Sequence, residues 1–237
     1  MRRILIINPI TSKEFDNMTK EYLEKIKDPC TQIECVSIKK GPASIETFYD
    51  EAFAQPEILK IADRYKDKCD AIVVDCFADP GLYAIRELVN IPVIGPAEAS
   101  MVVATMLGHK FAVISTMRNS GPWTELQAKA YGLSNRMAAA IGIDIPVLEL
   151  SIDPKKTAGY IVKAAKEIIQ HKGAEVIILG CTGMVSVAEM VKQELDVPLI
   201  EPLATALKVA EMMIDLKLRH SKLGLYMAPE KGKIVGY

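Results

Sequence analysis

The sequence predicts an α/β fold of two pseudo-symmetric lobes. Each lobe is a mostly parallel sheet flanked by helices, with a cleft between them. Three observations carry this. Short aliphatic runs alternate with helical stretches, the pattern of βαβ units. Several of those runs, such as "RRILIINP" at the start and "AIVVDC" near residue 75, lack polar alternation, as strands buried on both faces do. And three landmarks recur in order: a strand ending polar, a strand ending in cysteine, and a V-P or I-P strand. They read "ILIINP", "AIVVDC", "NIPVIGPAEAS" in the first half and "FAVIST", "VIILGC", "DVPLIEPLATA" in the second. Ile4 to Cys76 is 72 positions and Phe111 to Cys181 is 70; Cys76 to Pro92 is 16 and Cys181 to Pro198 is 17. Matched order, spacing and cysteine placement indicate a duplicated lobe.

The elements follow in order. Residues 2–9 form the first strand and 12–27 a helix. Residues 32–40 are the second strand. Residues 45–68 are helical, with a break or kink expected at Pro56. A strand at 70–76, a helix at 81–89, a strand at 91–96 and a helix at 97–108 follow, Gly108 being the expected stop. The pattern restarts with a strand at 110–117 and a helix at 122–131. "IPVLEL" (145–150) is read as a strand. Residues 155–173 form a strongly amphipathic helix ended by Gly173. A strand at 174–181, a helix at 184–195, a strand at 197–202 and a closing helix at 203–220 complete the pattern. The tail after Ser221 is poorly patterned. The expected division is 1–102 plus 203–237 for lobe one, with the C-terminal helix, and 103–202 for lobe two.

Composition excludes several function classes. The 237 residues carry 29 Lys+Arg against 30 Asp+Glu, a formal net charge of -1. Neither a nucleic-acid partner nor an anionic membrane is indicated. The apolar runs are strand-length, short of the roughly 20 residues that span a bilayer, and the expected location is the cytoplasm. Five cysteines (Cys30, Cys35, Cys69, Cys76, Cys181) without a C-x-x-C give neither a disulfide framework nor a zinc knuckle. His109, His171 and His220 have no metal-ligand spacing, so no metal is expected. His171 and His220 are read as cations near helix ends.

Cys76 and Cys181 are the candidate chemistry. Ligands of open parallel sheets bind beyond the carboxyl ends of the strands, and both thiols fall there. The small or polar residues that follow, "FADPG" and "TGM", bring backbone N–H groups and a helix N-terminus near each sulfur. That environment predicts a thiolate with a pKa below about 8.5. Two facing lobes put two thiols across one cleft. This suits racemisation at a carbon acidified by a carbonyl: one group removes the proton from one face and the other donates to the opposite face. Cys30, Cys35 and Cys69 read as small buried hydrophobes.

At these residues the sequence resembles the aspartate/glutamate/hydantoin racemase superfamily. "CFADPGLYAIRELVNIPVIGPAEAS" is similar to the C-F-x-D-P-G-L and I-P-V-x-G-x-x-E-A segments of the hydantoin racemase branch. "GAEVIILGCTGM" resembles its second cysteine strand, and "INPITSKEFDNMT" its N-terminal segment. The resemblance runs from about Ile4 to Ala210. It implies a cofactor-independent racemase acting on a small molecule in the interlobe cleft, with Cys76 and Cys181 as acid and base. It implies Asn8, Phe77, Ala78, Ser115, Thr116, Thr182 and Gly183 around the substrate, and a homo-oligomer. Amino-acid racemases of the superfamily have C-N-T and C-T-H where this chain has "CFA" and "CTG". The less polar pair favours a planar neutral ring, a 5-substituted hydantoin or allantoin. An aspartate/glutamate-type racemase and a maleate-type isomerase remain alternatives, as does a non-catalytic two-lobed binding protein or thiol redox sensor. Arg118 is read as a solvated loop residue and Asp75 as structural, its side chain turned away from the thiol. Asp79 is read as a cap for the helix near Gly81. The roles of Glu98 and Glu201 stay open.

Overall fold

The computed structural model describes residues 1–230; the last seven residues of the expected first lobe lie outside the described residues. Two four-stranded, all-parallel sheets form the frame. The first contains β1 (Arg2–Asn8), β2 (Thr31–Ser37), β3 (Ala71–Val74) and β4 (Val93–Ile94), in the order β2-β1-β3-β4. The second contains β5 (Phe111–Ser115), β6 (Met137–Gly142), β7 (Val176–Leu179) and β8 (Leu199–Ile200), in the order β6-β5-β7-β8. The two orders are the same topology, so the repeat in the sequence is a repeat in the fold. Its central strands are buried throughout, apart from Arg2 and Arg3 at the start of β1, which is why they read as aliphatic runs.

The helices are α1 (Lys13–Ile26), α2 (Phe48–Tyr65), α3 (Leu82–Leu88), α4 (Pro96–Leu107), α5 (Ser120–Ala130), α6 (Pro154–Lys172), α7 (Ala188–Gln193) and α8 (Pro202–Asp215). Several starts carry a local side-chain cap. Ser12 accepts from Phe15 N, Thr47 and Asp50 form a capping box, and Asp153 accepts from Lys156 N. Gly173, at φ +68°, ends α6 in the left-handed conformation that glycine adopts without strain.

Two helices cross between the halves. α4 follows the first sheet, yet Ala97, Met101 and Ala104 pack with Phe111, Val113, Val176 and Ile178 of the second. α8 follows the second sheet, yet Leu203, Ala206, Leu207 and Ala210 pack with Ile4, Ile6 and Val73 of the first. The two helices also pack on each other. This exchange fixes how the sheets face one another and so how their strand ends meet.

Several expectations are corrected. α2 runs unbroken through Pro56, held by Ala54, Ile58, Ile61 and Ala62 buried on the first sheet. "IPVLEL" is not a strand; Val147–Glu149 is a short 3-10 turn. The strand that pairs with β5 is the alanine-rich Met137–Gly142, whose half-buried edge position gives a weak sequence signal. The helix expected at 184–195 is split into a 3-10 segment, Thr182–Ser186, and α7. α8 ends at Asp215, and His220 caps nothing. Its Nε2 accepts from Val93 N at 2.9 Å, and burial lowers its pKa to about 4, so it is a neutral acceptor. Among the described residues no helix is long and apolar enough to cross a membrane.

Candidate active site

The carboxyl ends of β1, β3, β5 and β7 converge on one cavity of about 650 Å³ of free space, counted out to the solvent at its mouth. Asn8, Cys76, Phe77, Ala78, Ser115, Thr116, Cys181, Thr182 and Gly183 all line it. Each position is a strand end or the turn beyond one.

The two cysteine turns are built alike. Past β3, Asp79 N donates to the Cys76 carbonyl at 3.1 Å, and Asp79 sits at φ +53°. Past β7, Met184 N donates to the Cys181 carbonyl at 3.1 Å and opens the 3-10 segment. The Ser115 hydroxyl donates to the Gly180 carbonyl at 2.8 Å, tying β5 to the turn that presents Cys181. Asn8 is held by its own amide, which donates to Asp16 Oδ1 at 3.2 Å.

Cross-lobe bonds set one turn against the other. Gln127 Nε2 of α5 donates to the Phe77 carbonyl at 2.9 Å, and the Thr182 hydroxyl donates to the Asp75 carbonyl at 3.5 Å. Asp79 is a third tie. It does not cap the helix near Gly81, which has no side-chain cap. Its carboxylate instead accepts from Ala97 N at 3.0 Å and Glu98 N at 2.9 Å, capping α4, and from the Tyr131 hydroxyl at 2.7 Å.

The electrostatics differ from the expectation of a stabilised thiolate. Burial pushes the Cys76 thiol well above its ordinary value and the Cys181 thiol up to about 12. The predicted N–H donors are present, Ala78 for Cys76 and Gly183 and Met184 for Cys181, and they do pull downward. They are outweighed because the surrounding protein desolvates both thiols, which keep only partial exposure where they line the cavity, and desolvation disfavours the charged form. The negative neighbours Asp75 and Asp79 push Cys76 up further, and Asp75 and Glu46 do the same to Cys181. Asp75 also lines the cavity, but its carboxyl turns to α1, where Oδ2 accepts from the Thr19 hydroxyl at 2.7 Å. Oδ1 is buried and has no hydrogen-bond partner among the described residues.

Residues the sequence reading left open fall outside the cavity. Arg118 is 90% exposed in its side chain and pairs with Asp144. Glu98 pairs with the buried Arg86. Glu201 caps α8, accepting from Leu203 N and Ala204 N, and takes the Tyr22 hydroxyl. Other residues enter the site unforeseen: Phe15, Ile45, Glu46, Trp123, Gln127 and Val147. Glu46 carried a signal, since it lies in the segment leaving the carboxyl end of β2.

Comparison with known proteins agrees with this architecture. The family model described as Asp/Glu/Hydantoin racemase matches residues 4–210. A hydantoin racemase of Pseudomonas sp. (strain NS671) is 34% identical over 235 residues, covering 99% of this chain and 94% of that protein. The solved allantoin racemase from Klebsiella pneumoniae has a TM-score of 0.93 at 34% identity, covering 100% of this chain and 97% of that one. The allantoin racemase structure from Pseudomonas fluorescens gives 0.94 at 30% identity, over 99% and 100%.

Proposed function

We propose, from the premise that this chain belongs to the Asp/Glu/hydantoin racemase family, that it racemises 5-substituted hydantoins by two-base proton transfer between Cys76 and Cys181. It is an isomerase of the hydantoin racemase type. One observation carries the choice of a neutral ring. Among the described residues no Lys, Arg or His lines the cavity, while Glu46 and Asp75 do. An amino-acid dicarboxylate finds no cation there. A hydantoin brings amide N–H and C=O groups and no charge, which the Asn8, Ser115, Thr116 and Thr182 side chains and the turn N–H groups of Ala78 and Gly183 can hydrogen-bond. Allantoin is a second candidate substrate because it has the same ring.

In the proposed step one cysteine, as thiolate, takes the C5 proton. The S–H bond forms as the C5–H electrons move onto the adjacent carbonyl, giving an enolate. The opposite thiol then gives its proton to the other face of C5. The roles exchange for the other enantiomer. Positioned acid–base catalysis of this kind is worth about 10²–10⁴-fold, and N–H donors at the enolate oxygen add to it. The test is ¹H NMR in D₂O with each enantiomer of 5-benzylhydantoin. Deuterium should enter C5 from either enantiomer, and Cys76→Ala and Cys181→Ala should each lose at least about 10²-fold in racemisation. A variant lacking either thiol that racemises at the full rate refutes the two-base reading.

A further inference from the structure

The segment between β2 and α2 forms a strap along the cavity, with Ile45 and Glu46 lining it. On its near side the Pro42 carbonyl accepts from Thr11 N at 3.1 Å. On its far side it is held by the second half of the molecule. Val147 N donates to Glu46 Oε1 at 2.8 Å, Asn119 Nδ2 donates to the Glu46 carbonyl at 2.7 Å, and the Phe48 and Trp123 rings meet at 4.4 Å. The Glu46 N–H is fixed as well, donating to Asp50 Oδ2 at 3.1 Å. The carboxylate of Glu46 is therefore held in one place while lining the cavity, among Ile45, Phe15, Trp123 and Val147. Glu46 is half-buried among these apolar neighbours, so an anion entering beside it meets a like charge that is screened less than in bulk water.

We propose that Glu46 is a specificity-determining residue, selecting hydantoins whose C5 substituent is uncharged and rejecting those that carry a carboxylate there. This rests on the hydantoin reading above and extends it from the ring to the substituent. The polar cavity residues beside the two cysteines serve the ring. Among the described residues the strap side presents apolar side chains and one carboxylate, with no cation to balance a second negative charge. A benzyl or branched alkyl substituent fits that surface, and an acidic one does not.

The test compares two substrates of nearly the same shape, 5-(carbamoylmethyl)hydantoin and 5-(carboxymethyl)hydantoin, which differ in charge at neutral pH. Their kcat/KM values are taken by polarimetry at low salt and divided by their uncatalysed C5 exchange rates. The wild type should favour the amide by at least about tenfold. In Glu46→Gln, which keeps the acceptor for Val147 N, that preference should shrink by at least about tenfold through a gain on the acid. Glu46→Asp, which keeps the charge, should retain the preference. A corrected wild-type ratio near one overturns the inference without any variant, and so does a ratio that Glu46→Gln leaves unchanged. 5-Benzylhydantoin separates the two readings. If the wild type racemises it while the ratios fail, only the substituent inference falls. If the wild type racemises no hydantoin, the proposed function falls and takes this inference with it.

Discussion

On the two-base proposal, raising the pH should activate this protein, because burial holds both thiols above neutrality and so protonated at rest. The perturbation is a pH series from about 7 to 10. With Cys181 pushed up to about 12 and Cys76 well above its ordinary value, the free protein at pH 8 holds roughly one Cys181 thiolate in 10⁴ molecules. Four pKa units at about 1.4 kcal/mol each make the ionised form roughly 5 kcal/mol costlier than the thiol at that pH. Each unit of added pH recovers about tenfold of the reactive form, so log kcat/KM should climb with a slope near one across the series. A bound hydantoin can itself lose an N–H proton, so the rate profile needs an independent readout. Ultraviolet thiolate absorbance of the ligand-free protein provides it, with Cys76→Ala and Cys181→Ala subtracted to assign the signal. Half-titration of either thiol below pH 8 refutes the reasoning: it means that the Ala78, Gly183 and Met184 N–H groups outweigh desolvation. The same shift has a stability sign. A thiol whose folded pKa lies above its unfolded value stabilises the fold fully below about pH 9, and that contribution is lost as pH rises toward the folded value.

Two further outcomes follow from the packing around the cysteine turns. Burial pushes the Asp79 carboxyl from 3.8 up to about 7 against the pull of the Tyr131 hydroxyl and the Glu98 and Ala97 N–H groups. Its contribution to stability is therefore fully present below about pH 4 and lost as pH rises through 7, by up to a few kcal/mol; Asp79→Asn should flatten that fall, read as the urea midpoint at pH 5 and pH 8. At Gly180 a Cβ would stand 2.6 Å from Ser115 Cβ and 2.9 Å from Val113 Cγ1. Gly180→Ala should cost about 1–3 kcal/mol, seen as a lowered Tm, and should cut racemisation by moving the turn that presents Cys181.

How far the site was legible in the sequence depends on whether a feature belongs to one strand end or to the meeting of two halves. Cys76 and Cys181 could be found because a buried parallel strand announces itself as an aliphatic run, and whatever follows it lies at the ligand edge. The same rule supplied Asn8, Ser115 and Thr116. The alanine-rich β6 was missed because its edge position leaves it half buried, so neither β-branching nor alternation marks it. Asp79 was assigned to the nearer helix start. Its actual partner, the start of α4, is 18 residues away in sequence and reached only through the packing that also brings up Tyr131.

The thiol environment shows why local chemistry can point the wrong way. A turn of small residues does aim N–H groups at a sulfur, and taken alone that favours the thiolate. The packed surroundings that reverse the sign come from both halves of the chain. They depend on α4 and α8 each packing on the other half's sheet, and for α4 no run of residues reveals it. Glu46, Trp123 and Gln127 belong to the same class. Each lies on one half and completes a wall or bond of the other, as in the Gln127–Phe77 and Glu46–Val147 pairs. Proposed substituent recognition therefore rests with residues separated by 101 positions in the Glu46–Val147 case, while the proposed acid–base pair rests with strand ends. On this division, substitutions in the strap should alter which hydantoin is turned over, and substitutions in the cysteine turns should alter whether any is.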